Sequence, residues 1–95
     1  MEITPGSIVL CLNGRDEGDL FFTLSVGDGY AELADGKKRP IEKAKHKKLK
    51  HVRFVEDYDC TVRSKLRSGE PITNNELKKA LAVYSAGSSG DNGGM

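Results

Sequence analysis

The side chains of this protein best suited to chemistry are cationic and crowded. The stretch KKRPIEKAKHKKLKHVR, residues 37–53, holds nine of the 15 Lys and Arg residues: Lys37, Lys38, Arg39, Lys43, Lys45, Lys47, Lys48, Lys50 and Arg53. Glu42 is its only acid, so these 17 residues carry +8 in a chain whose formal net charge is +1. Residues 1–36 carry −6, with Arg15 as their only base, and residues 54–95 carry −1. Like charges at this density repel one another unless an anion lies close. The alternative is a merely solvated face, which the scarcity of acids inside the stretch disfavours. Phosphate suits such a surface, because each bound Lys or Arg releases condensed counterions from a nucleic acid. A lysine-rich strand-and-loop surface fits phosphate and shape recognition of folded RNA. No strongly basic helix is evident to read a DNA groove. His46 and His51, inside the cluster, add rings that touch phosphate or stack on a base.

Other chemistries find less support. His46 and His51 lie five residues apart, and with Cys11 or Cys60 they lack the close ligand pairs of zinc sites, so no metal is expected. EDYD (56–59) gathers Glu56, Asp57 and Asp59 without a calcium-loop spacing and reads as a solvated turn. NGRDEG (13–18) lacks the spacing and the Lys-Ser/Thr pair of a P-loop. No Ser/His/Asp set stands out and a small barrel leaves no catalytic pocket, so neither enzyme activity nor a cofactor is expected. Two cysteines in no CxxC pattern make a disulfide scaffold improbable and point to a reducing, cytoplasmic setting, with Cys11 a core residue. No apolar run reaches the roughly 18–20 residues needed to cross a bilayer, and no signal peptide or membrane association is expected. The chain is expected to be a monomer.

The elements that must position these cations are mostly short strands. SIVLCLN (7–13) has apolar residues on both faces, as in a strand covered on both sides. GRDEG (14–18) is a glycine-flanked connection, and LFFTLSV (20–26) alternates. GDG (27–29) is a hairpin signal ahead of a third strand, YAEL (30–33). A fourth strand is expected from near Lys38, limited by Pro40 to an edge, and a fifth over LKHVRFV (49–55). Five short strands joined by glycine turns predict a small five-stranded antiparallel barrel. The C-terminal third differs. Thr73 with Glu76 forms a capping box, and Ile72 with Leu77 a hydrophobic staple, for a helix running to Tyr84. Its Leu77, Ala80, Leu81 and Tyr84 share one face and need burial, with strand 1 as a candidate partner, while Lys78 and Lys79 fall on the solvent side. Residues 60–71 predict one or two helical turns ended by Ser68-Gly69. The resulting division is a barrel over 1–55, a packed helical segment over 56–84, and a flexible Gly/Ser-rich tail over 85–95.

The order of these pieces resembles a known family. A strand entered through Gly6, with Val9 and Cys11 at alternate positions, followed by GRDEG and a second apolar strand, resembles a KOW motif. ADGKKRPIEKAKHKKLKHV (34–52) is similar to the matching stretch of the fourteen-e family of large-subunit ribosomal proteins. The likeness is greatest to its short bacterial relatives, KOW-domain RNA-binding proteins. Together the two stretches cover residues 6–53. The resemblance implies an SH3-like barrel with a following helical piece, RNA binding at or near the ribosome, and ribosomal proteins as further partners. Gly14, Arg15 and the loop backbone would then lie beside Lys37–Arg39 and Lys43–Arg53. Where the family commonly has basic residues around this loop, the chain has Glu17 and Asp19, so the acidic first third is expected to lie away from the RNA. The chain stops soon after its helix, as in the short forms. A second function class stays open: a protein-interaction adaptor in transcription or translation, using the apolar helix face or a free strand edge.

Overall fold

Alternating apolar residues build the first three strands. They are β1 (Ile8–Cys11), β2 (Leu20–Gly27) and β3 (Tyr30–Ala34), consecutive antiparallel neighbours in a computed structural model that describes residues 2–93, with side chains through residue 87. Between β2 and β3 the two-residue loop Asp28-Gly29 has φ of 52° and 80°. Positive φ at both central positions is the hairpin geometry that Asp-Gly favours, since its twist matches that of the flanking strands.

The chain then departs from expectation. No strand forms at Lys38. Asp35 Oδ1 accepts hydrogen bonds from the backbone N–H groups of Lys37 (2.9 Å) and Arg39 (2.8 Å), which folds 35–39 into a tight turn. Pro40 and a 3-10 turn at Ile41–Lys43 follow, so β4 begins only at Lys45 and ends at Lys48. A second 3-10 turn, Leu49–His51, delays β5 to Val52–Glu56. The side chain of Asp35 and the proline ring compete with strand pairing here, as both do generally.

The strand order is β4-β3-β2-β1-β5, with every pairing antiparallel. The sheet is open. No ladder joins β4 to β5 among the described residues, so the closed barrel expected from strand count is replaced by a curled sheet. The curl follows from chain length. Five flat strands would separate the edges by about 19 Å, whereas the link from Lys48 to Val52 reaches at most about 15 Å. One short turn therefore ties both sides together: Leu49 N–H donates to Gly29 O (2.9 Å), and Leu12 N–H donates to His51 O (2.9 Å).

Two buried clusters lie on opposite faces of β1. Val9, Cys11, Phe21, Ala31, Leu33 and Val52 fill one side of the sheet. Ile8, Phe22 and Ala34 face the other way, against Val62 of α1 (Thr61–Ser68) and Leu77 and Leu81 of α2 (Asn74–Gly93). β1 is thus covered on both sides, and Leu77, Ala80, Leu81 and Tyr84 are the stripe that α2 buries. The helix starts as its cap dictates: Glu76 N–H donates to Thr73 Oγ1 (3.1 Å) and Thr73 N–H to Glu76 Oε1 (2.9 Å). α1 ends at Gly69, whose φ of 77° is the left-handed cap that glycine permits. α2 runs past Tyr84, through the segment read as tail, to Gly93, because extending a docked helix needs no new nucleus. Gly94 and Met95, also assigned to the tail, lie outside the described residues.

Gly36 fixes how α2 meets the sheet. With φ of 78°, a Cβ there would stand 2.1 Å from Asn74 O, so the turn after β3 can touch the start of α2 only as glycine. Asn74 holds the contact from its side. Its Oδ1 accepts from Ile41 N–H (2.7 Å) and its amide donates to Glu42 (2.9 Å), which holds the Glu42 carboxyl below the ordinary carboxylate range.

Candidate nucleic-acid interface

Folding brings the acidic first third onto the basic stretch, and one carboxylate is the hub. Asp16, in the β1–β2 connection, is 3% exposed. Its Oδ2 accepts from Arg39 Nη2 (2.8 Å) and Nε (3.1 Å) and lies 3.3 Å from Lys45 Nζ. Burial pushes this carboxyl up, and the hydrogen bonds and charges of Arg39 and Lys45 outweigh it, holding the group below its ordinary value. Lys38 Nζ meets Asp19 Oδ2 at 2.6 Å, which pushes the lysine up. His46 shares a hydrogen bond with Glu32, its cross-strand partner, and stacks on Tyr30 with ring centroids 4.3 Å apart and planes 9° from parallel. Asp16, Asp19 and Glu32 of the acidic first third thus fold against the basic stretch. Each is a short-range partner of a cation or imidazole far along the chain.

The remaining cations are differently placed. Lys47 and Lys48 lie on edge strand β4, Lys50 and His51 on the 3-10 turn that joins the two sheet edges, and Arg53 on β5. Lys47 Nζ donates to Asn13 O (3.1 Å) at the start of the β1–β2 connection, and a Cβ on Gly14 would lie 3.2 Å from that ammonium. Arg15, the next residue, is exposed. Gly14 therefore sits beside Lys47, with Arg15 next in the chain. Among the described residues, Arg15, Lys37, Lys43, Lys47, Lys48, Lys50 and Arg53 make no ion pair. Cations in this state keep their charge and their donors for an external anion.

Two further residues, Asp16 and Tyr30, enter the picture that sequence reasoning passed over. Asp16 gave no local signal, because nothing in GRDEG tells which of its acids points inward. Tyr30 reads only as a strand residue until its ring is found against His46. Lys78 faces solvent as expected, and it also lines an open cleft of about 380 Å³ together with Lys37 and Lys38, floored by Leu20 and Leu81. The other motifs find structural roles. Asp57 and Asp59 pair with Arg63 and Arg67 of α1. Cys11 is buried in the core and Cys60 packs against the helical cluster, so the two cysteines and two histidines are not brought together. Among the described residues no group of three or more His, Cys, Asp or Glu is placed to hold a metal ion, and no helix is long and apolar enough to cross a membrane.

No family model matches this chain, and no curated protein matches it either.

Proposed function

We propose that this domain is a non-enzymatic RNA-binding module of the KOW type, contacting ribosomal or other structured RNA in the cytoplasm at or near the ribosome. The observation that carries this is the run Lys47, Lys48, Lys50 and Arg53, exposed or half-exposed on β4, the turn after it and β5, with no ion-pair partner among the described residues and with Lys47 beside Gly14. Other carboxylates in the same region are already bound to Lys38, Arg39, Lys45 and His46. The lysines at the rim are free to neutralise phosphates, and the short, curved sheet offers them to the backbone of a folded RNA rather than to base edges in a groove. Crosslinking in cells, followed by sequencing of the attached RNA, tests this. The expected crosslinks map to Arg15 and Lys47–Arg53 and to a few defined RNA positions; scattered low-level crosslinks over all RNA would refute it.

A second reading, a protein-interaction adaptor, draws on a separate feature. An apolar groove of about 340 Å³ runs between α1 and α2, lined by Tyr58, Cys60, Val62, Ala80 and Val83, and Val83 is 60% exposed. Removing α2 cannot separate the two readings, because Leu77 is fully buried in the core and its loss would unfold the domain. Val83→Asp separates them: it spoils the groove and leaves the basic rim intact, so RNA crosslinking persists under the first reading and drops under the second.

A further inference from the structure

The outer face of the β3–β4 ladder carries a flat ring held in place with nothing of the protein's core beneath it. Along β3, Ala34, Glu32 and Tyr30 alternate onto the same side as the helical cluster, but α2 covers only the end near Phe22 and Ala34. At the open end, Glu32 pairs with His46 and Tyr30 with Lys48 across the ladder. The neighbours on β2 are Ser25 and Gly27, both exposed, so nothing bulky crowds the patch. Stacking on Tyr30 and a hydrogen bond to Glu32 fix the plane of His46 from two directions, yet its side chain stays 59% exposed. An exposed edge strand has no packing need for a ring fixed in this way. Resting on the RNA-binding reading above, we propose that the Tyr30–His46 pair is a stacking platform for one unpaired nucleobase, with Lys48 taking the adjoining phosphate. The RNA recognised is then a helix interrupted by a bulge or loop, not a continuous duplex. A duplex buries its bases in its own stack, whereas a splayed base offers a face that a preorganised aromatic ring can extend. The bond from Glu32 to His46 keeps that carboxylate from facing the phosphate alone, while Asp28 stands exposed in the turn before Tyr30.

The test compares a blunt RNA duplex with the same duplex carrying a single unpaired 2-aminopurine. Wild-type protein is expected to bind the bulged RNA about tenfold more tightly, in line with the alanine-substitution value of base–aromatic stacking, and to change the fluorescence of the unpaired base. His46→Ala should abolish both the preference and the fluorescence change while leaving duplex affinity and its salt slope close to wild type. His46→Phe keeps a ring without the imidazole nitrogens and should retain the preference, which a simple phosphate contact would not. Equal wild-type affinity for the two RNAs, or a preference that survives His46→Ala, would overturn the platform and leave the RNA-binding reading standing. Failure of both RNAs to bind would overturn both.

Discussion

Between Lys37 and Lys45, three of five cations face a carboxylate: Lys38 meets Asp19, and Arg39 and Lys45 converge on Asp16. Between Lys47 and Arg53, none of four does among the described residues, and the one polar contact is from Lys47 to a backbone carbonyl. The two halves are similar in composition and adjoin in the chain, yet the first half is used to hold the β1–β2 connection against the sheet edge and the second, apart from the bond of Lys47 to Asn13 O, is left to solvent. Charge density is therefore a poor guide to which cations a polyanion can reach. What matters is whether an acid elsewhere in the chain has been folded onto them. Asp16 shows why this matters for stability as well. A buried carboxylate is costly unless bonded, and two cations from the basic stretch satisfy it.

The largest effect should come from the free half. Lys47→Ala, Lys48→Ala and Lys50→Ala together should weaken RNA binding about 100-fold near 0.1 M salt and flatten the log–log salt slope by roughly 2.1 to 2.7, at about 0.7–0.9 per lost phosphate contact. The melting temperature should hardly move. If the slope stays at its wild-type value in filter-binding titrations, the rim is a solvated face and the contrast between the halves collapses.

Next in size, Asp16→Ala should destabilise the fold by about 2 kcal/mol, because it leaves Arg39 and Lys45 partly buried and unpaired. That corresponds to a drop of roughly 10 °C in melting temperature for a domain of this size. RNA affinity of the folded protein should stay the same or rise, since two cations are released. A variant that melts like wild type would show that the first half is no more structural than the second.

Acid titration probes the same hub. A carboxyl held below its ordinary value of 3.8 contributes stability that is fully present above that value and is lost as pH falls through its lowered folded value. Glu42 and Glu76 are lowered too, by Asn74 and Lys65 respectively, and act in the same window. Stability should thus be flat near neutral pH and decline below about pH 4, and Asp16→Asn should make the decline shallower without abolishing it. Denaturant midpoints measured from neutral to strongly acidic pH check this, and an acid limb identical in the two proteins would remove Asp16 from the account.

The smallest effects concern α2. Lys78 shares a cleft with Lys37 and Lys38, while Lys79 lines the apolar groove on another side of the helix. Lys78→Ala should flatten the salt slope by at most one contact, about 0.7–0.9, and Lys79→Ala should leave it unchanged. Equal losses would mean that both act only through net charge.

Much of the architecture was legible because it is written in short-range chemistry. Asp28-Gly29 needs only its own two φ angles, the Thr73–Glu76 box only four consecutive residues, and the Leu77–Leu81 stripe only helical periodicity. Strand boundaries in the basic stretch were illegible for the same reason turned around. Lysines carry no apolar alternation, so the Asp35 side chain and Pro40, acting on the backbone, decided where β4 could begin. Within the basic stretch, the charge density could be read from the residues, and which cations pair with a carboxylate could not.

The amino-acid sequence by itself determined the uneven spread of charge, the number of strands, the turns between the first three and the start of the second helix, because each depends on residues within a few positions of one another. Only the tertiary structure decided that the sheet stays open and curls, that Tyr30 comes to lie against His46, and that Asp16 reaches Arg39, 23 residues away along the chain. Such contacts depend on strand order and on which side of the sheet each loop crosses. A buried carboxylate then selects its partners by proximity in space, a quantity that no local pattern of residues encodes.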